Sequence, residues 1–259
     1  ELQFRQFPTG LDEFIEIANE RFRNANQTPQ ANPTPDGNGG FIDTDWQDHV
    51  FRQSVQQSHN VSASGGTEGG KYYVSLGFTD QQGAIEANAL KRYSFRANLD
   101  QNINKFLSFG VTTGLTYQRN QGPLAGSNNL SGNIFGATRM LPNVAVYNPE
   151  DPTGYNIEPN DRRVLGKGGN NIPISDNIPN IRFVLDNNIR TAQTYRVLGT
   201  TFLEAKIVDG LKLRTQLGID GLYADDFVYG DPRHGDSYSA NGSMSQAYSP
   251  LLRWNWQNI

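Results

Sequence analysis

No cysteine occurs anywhere in the 259 residues, which removes disulfide scaffolds, thiolate zinc sites and cysteine nucleophiles at once. Charge is scarce too: 22 Lys or Arg stand against 26 Asp or Glu, for a net charge of −4. A disordered solvating chain combines high net charge with few aromatics, whereas here there are 14 Phe, 11 Tyr and 3 Trp. A pI near 5.4 argues against a partner bound by phosphate neutralisation, so no nucleic acid is expected. No run approaches 18 consecutive apolar residues, so no segment reads as a transmembrane helix. That absence leaves a membrane β-barrel open, because its strands are apolar only at every second residue. What is abundant is Gly, 27 residues, together with Asn, both concentrated between the patterned segments.

The first patterned segment is helical. Thr9 is a suitable N-cap with Asp12 three residues on, and Leu11, Phe14, Ile15, Ala18 and Phe22 share one face as far as Arg23. Residues 24–40 read as a loop. After Trp46 the period changes from 3.6 to 2. Tyr72, Val74, Leu76 and Phe78 oppose Tyr73, Ser75, Gly77 and Thr79. Tyr93, Phe95, Ala97 and Leu99 oppose Arg92, Ser94, Arg96, Asn98 and Asp100. Similar alternation runs through 107–118 and 211–221, and less cleanly through 58–64 and 195–207, where Leu198 and Phe202 fall on the polar face.

The links between these strands alternate in length. Those at 65–70, 101–106 and 208–210 are short; those at 80–90, 119–191 and 222–245 are longer. Antiparallel neighbours joined this way gather the tight turns at one end of a sheet and the long loops at the other, as outer-membrane barrels do. A soluble β-sandwich also alternates, with shorter strands and no segregation of its loops. Both ends of the chain read as cuts, the last within the strand-like run Leu251 to Ile259, so an internal piece of a larger protein is expected.

Thr44-Asp45-Trp46-Gln47-Asp48-His49-Val50-Phe51-Arg52 resembles an element near the start of the barrel in SusC-like (RagA-like), TonB-dependent outer-membrane transporters of Bacteroidetes-type bacteria. The likeness continues through 59–66, 71–78, Gln82-Gly83, 91–100, the loop Leu141-Pro142-Asn143-Val144-Ala145-Val146-Tyr147-Asn148, and 202–214. The resemblance implies an all-β fold, part of a 22-stranded antiparallel transmembrane β-barrel with long outer loops and one short loop helix. Residues 1–45 would then be the end of a first strand with a helical outer loop, and 46–259 early barrel strands with outer loops at 119–191 and 222–246. It further implies the cell outer membrane, import of an oligomeric glycan or peptide nutrient, a SusD-like lipoprotein lid, and energy coupling by TonB through a part not in this chain. A soluble glycan-binding sandwich, or a SusC-like barrel with a structural or secretion role, are the competing readings.

No enzymatic chemistry is expected. His49, His59 and His234 lack partners at metal-ligand spacing. Glu150, Asp151, Glu158 and Asp161 lie among loop residues with nothing to fix their separation. Asp225, Asp226, Asp231 and Asp236 lack EF-hand spacing, and no cofactor motif is present. The residues of interest are instead Arg92, Arg96, Asp100, Lys212 and Arg214 on the polar, lumen-type faces, and the loop aromatics Tyr147, Tyr155, Phe183, Tyr229 and Tyr238 as ligand or lid contacts.

Overall fold

A computed structural model describes residues 10–122, 137–174 and 178–259. Helix α1 spans Leu11–Asn24 and buries Phe14. Thr9, the expected cap, lies outside the described residues. The cap position is taken by Gly10, which has no side chain to offer; Asp43 instead accepts the backbone N–H of Leu11 at 3.1 Å. An acceptor from a distant loop thus does the work sequence would give to a neighbour.

Seven strands follow: β1 (Gln56–Thr67), β2 (Gly70–Gln82), β3 (Ala89–Asn102), β4 (Leu107–Gln121), β5 (Ile189–Val208), β6 (Leu211–Gly230) and β7 (Ser243–Asn258). They form one antiparallel sheet in chain order. A sandwich needs two packed sheets, so that reading fails among the described residues. Pairing also runs past the apolar stripes: β6 continues to Gly230 through Asp225 and Asp226. Polar strand ends carry no hydropathy signal, and the long links therefore narrow to 122–188 and 231–242. The tight turn at Asp209-Gly210 is closed by Gly210 at φ +88°, with a register shift between Lys206 and Val208, the pattern of a left-handed glycine bulge.

The register keeps each apolar stripe on one face. His59, Phe78, Tyr93, Tyr117, Tyr195 and Tyr223 are successive cross-strand partners, with Tyr248 next on β7. Adjacent rings lie 4.8 to 6.4 Å apart between centroids, so one row of rings crosses all seven strands. Cross-strand aromatic pairs of this kind reinforce register. One pair position nearer the long links, the same face turns polar: Gln57, Asp80, Lys91, Arg119, Gln193 and Asp225 are mutual partners. From Tyr117 to Leu107 the face extends ten residues, roughly 34 Å along a strand and about 25 Å when tilted, the height of a barrel's apolar band.

The interior of the molecule lies elsewhere. Every buried hydrophobic side chain among the described residues is outside the strands. Trp46, Val50, Met140, Val144, Val146, Leu165, Ile178, Ile181, Val184 and Leu185 form one core beyond the long-link end of the sheet. A further helix, labelled α2 (Ile181–Asn187), is capped by Asn180, whose side chain accepts from the N–H groups of Arg182 and Phe183. Arg182 ties α2 to Glu86 of the β2–β3 link and to the carbonyl of His49, and pairs with Asp186 one turn on in the same helix. The described residues of the 83–88, 122–188 and 231–242 links and the 10–52 segment therefore make one packed layer.

Candidate functional site

Two surfaces carry the residues singled out above. The first is the polar face of the sheet. Strand alternation places Lys71, Arg92, Arg96, Arg190, Arg196, Lys206, Lys212, Arg214 and Arg253 there, against Asp100, Glu204, Asp220 and Asp226. Cations outnumber anions on this face although the chain is net −4.

Lys212 and Arg214 are committed to neighbours. Glu204 accepts from Lys212 at 2.7 Å and lies 3.9 Å from Arg214. The Arg214 guanidinium also stands 3.8 Å above the ring of Phe202. Phe202 in turn lies across Gly110, where an added Cβ would fall 2.2 Å from the ring. Glycine on β4 thus makes room for an aromatic on an otherwise polar face, which explains the irregular stripe read in β5. Arg196 is held by Asp220 at 3.0 Å. Arg92, Arg96 and Asp100 are exposed and have no ion-pair or hydrogen-bond partner among the described residues. Gly114, the partner of Arg96 on β4, has open space on that face.

The second surface is the long-link layer. Tyr147 is 52 % exposed and Tyr238 37 %. Tyr155 is half-buried; its hydroxyl donates to Asp186 at 2.7 Å, and burial together with that carboxylate raises its pKa to about 12. Two expected contacts are corrected. Phe183 is fully buried, edge-on to Tyr155 and His234, because α2 turns it into the core; it packs the layer and offers no surface. Tyr229 belongs to β6, opposite Ile189 and Met244, because strand pairing continues past the expected loop boundary.

The polar groups of the layer hold it in shape. Arg162 meets Asp151 through two bonds of 2.8 and 3.1 Å, and keeps that carboxyl well below its ordinary range. Asp231 is likewise held low by Arg233, and Asp161 by Arg163. Sequence reasoning missed the role of His234. Its Nε2 accepts the Asn180 N–H at 2.7 Å, so the proton sits on Nδ1 and is donated to the Arg162 carbonyl at 2.6 Å. Burial lowers its pKa to about 4 and fixes the neutral ring. The side chain of Asn180 reaches the carbonyls of Val146 and Asn156 as well. The only signal for this in the sequence was a lone histidine in a loop. Of the candidate carboxylates, Asp151, Asp161 and Asp231 are engaged in these contacts, and no group of three metal-binding side chains occurs among the described residues.

No family model matches the chain. It is 33 % identical over 114 residues to the TonB-dependent receptor SusC of Bacteroides thetaiotaomicron, covering 44 % of this chain and 11 % of that protein. It is 24 % identical over 189 residues to the TonB-dependent receptor P3 of Formosa agariphila, covering 69 % of this chain and 17 % of that one. The chain thus spans a small part of these receptors. In fold it is similar to a chain of the RagAB peptide transporter, with a TM-score of 0.62 and 21 % identity over 96 % of this chain and 27 % of the other. The RagAB importer in its closed-closed state gives a TM-score of 0.60. These relatives are described as receptors and as a peptide importer. The single sheet in chain order, its one apolar face and these likenesses agree: in sequence the chain is similar to TonB-dependent receptors of the SusC type, and in fold to a barrel segment of the RagAB transporter.

Proposed function

We propose that this chain forms part of the wall and the outer loop layer of an outer-membrane importer for an oligomeric nutrient. The observation that carries the reading is the division of the sheet. One face is predominantly aromatic and aliphatic, broken by Thr113, Thr201 and Thr215, yet holds no buried hydrophobic side chain, and only a closed barrel satisfies strand backbones in lipid. The opposite face is polar and net cationic, which suits a wet lumen. On this reading residues 46–259 supply barrel strands and the links at the long end face outward, with residues 10–45 packed into the same layer.

The roles of individual residues follow. Arg92, Arg96 and Asp100 face the lumen uncommitted, while Lys212 and Arg214 shape its wall through Glu204 and Phe202. Tyr147 and Tyr238 are the layer aromatics open to a sugar ring, a peptide side chain or a lid. RagAB is described as a peptide importer, which supports a peptide cargo here without excluding glycans. Energy coupling through TonB and a SusD-like surface lipoprotein belong to the same proposal, as does residence in the outer membrane.

Uptake measured in a strain lacking the gene tests it. Loss of growth on one class of oligomer, restored by the gene in trans, is the expected result. Unchanged uptake of every peptide and glycan oligomer, with altered secretion or envelope integrity, would instead favour the structural or secretion-associated role.

A further inference from the structure

The polar row just above the rings contains an arrangement that its own neighbours do not explain. Lys91 on β3 and Arg119 on β4 are direct cross-strand partners on one face. Like charges directly opposite each other destabilise a sheet. Arg119 is exposed and has no partner among the described residues. Lys91 is 3.7 Å from Asp80, whereas Arg119 has Gln193 as its other cross-strand partner, with Asp225, the second carboxylate of the row, one strand further on. Immediately below, Tyr93 and Tyr117 stack with centroids 6.2 Å apart, and the face stays mostly aromatic or aliphatic from there toward the short turns, with no charged residue on β3 or β4.

We infer that Lys91 and Arg119 form a binding site for the phosphate of a membrane lipid headgroup, at the rim nearest the long links. The inference rests on the barrel reading proposed above. Tyrosine rows mark the interfacial level of a barrel, and the two cations stand one pair position beyond that level, where lipid phosphates lie. A bound phosphomonoester neutralises the like-charge pair, and the aromatic surface beneath receives the acyl chains. A free anion would satisfy the cations equally but would make no use of that surface.

The test uses the whole protein containing this chain, purified from the outer membrane and reconstituted in phosphatidylcholine with added phosphatidic acid. Native mass spectrometry then reads which lipid is retained. Wild type is expected to retain phosphatidic acid over phosphatidylcholine. Lys91→Gln and Arg119→Gln should each lower that preference about fivefold, equivalent to about 1 kcal/mol per charge. Lys105→Gln, in the turn at the opposite end of the sheet, should leave it unchanged. Asp80→Asn should raise it by removing the competing carboxylate. An equal loss in Lys105→Gln, or no loss in either rim variant, overturns the site. Retention of inorganic phosphate with the same dependence on Lys91 and Arg119, and no lipid preference, overturns the lipid assignment. A protein that fails to migrate as a heat-modifiable barrel would instead defeat the barrel reading itself, so the two failures are distinct.

Discussion

Trp46 and Trp254 are one residue type in two opposite settings. Trp46, in the long-link layer, is 0 % exposed and its indole N–H donates to the Leu141 carbonyl at 3.1 Å. Trp254, on β7, is 69 % exposed. The layer has built an interior that works in water, with a core of covered apolar side chains and buried polar groups that, Asn143 Oδ1 apart, are paired. The sheet has long strands, full backbone pairing between neighbours and no buried hydrophobic side chain. The hydrophobic effect therefore holds the layer together directly, whereas the strands need an apolar surround that they do not supply. On the barrel reading, two stretches of one chain are folded against two different solvents.

The comparison can be broken most forcefully at Trp46. Trp46→Ala should cost the layer about 3–5 kcal/mol, seen as rapid protease cleavage in residues 137–188, while the barrel retains its heat-modifiable migration. Collapse of both together would show that layer and wall are not separable. Next in size is Leu217→Arg, midway along the apolar face of β6, which should cost about 2–4 kcal/mol in a membrane refolding assay. Gln216→Arg, on the polar face, should change little. Equal costs would mean that the faces are assigned the wrong way round.

Acid provides a subtler separation. The folded pKa of His234 is lowered to about 4, so the unfolded layer binds the extra proton first as pH falls. The stabilisation is fully present above about pH 6.5 and is lost progressively toward pH 4, amounting to no more than about 3 kcal/mol. Protease protection of the layer should fall across that window and His234→Gln should flatten the dependence, with the barrel unaffected. Asp151 titrates at lower pH still, because Arg162 holds it down. The smallest effect concerns ligand. Tyr147→Ala should weaken oligomer binding by about two- to tenfold, the worth of one aromatic contact, as read by calorimetry on the whole protein. An undiminished affinity would leave Tyr147 as surface only.

Much of the wall was legible because a period of two reports directly on which way side chains point. Tyr72 to Phe78 and Tyr93 to Leu99 fell where alternation put them, and Phe202 was visible as an exception before Gly110 supplied its cause. The strand ends were less legible. Asp225 and Asp226 pair as regularly as the residues before them, but backbone hydrogen bonding leaves no trace in hydropathy. The layer was the least legible. Its contacts join residues far apart in sequence, such as Asn143 to Asn32 at 2.6 Å and His234 to Asn180. Asn, Gly and Pro at those positions suggest only a loop. That is why Phe183 read as a surface aromatic, when α2 carries it into the core.

The tight turns at one end bear on how such a protein diversifies. Strand register is fixed at Glu68-Gly69 and Asp209-Gly210, where the chain reverses within two residues, and it propagates from there along each hairpin. The opposite ends of the same hairpins then add little to register, since loop length costs only about 0.6 kcal/mol per doubling. Insertions, deletions and substitutions at 122–188 or 231–242 can accumulate without shifting a single cross-strand pair. A lineage can thus exchange its long links for others and inherit the wall unchanged.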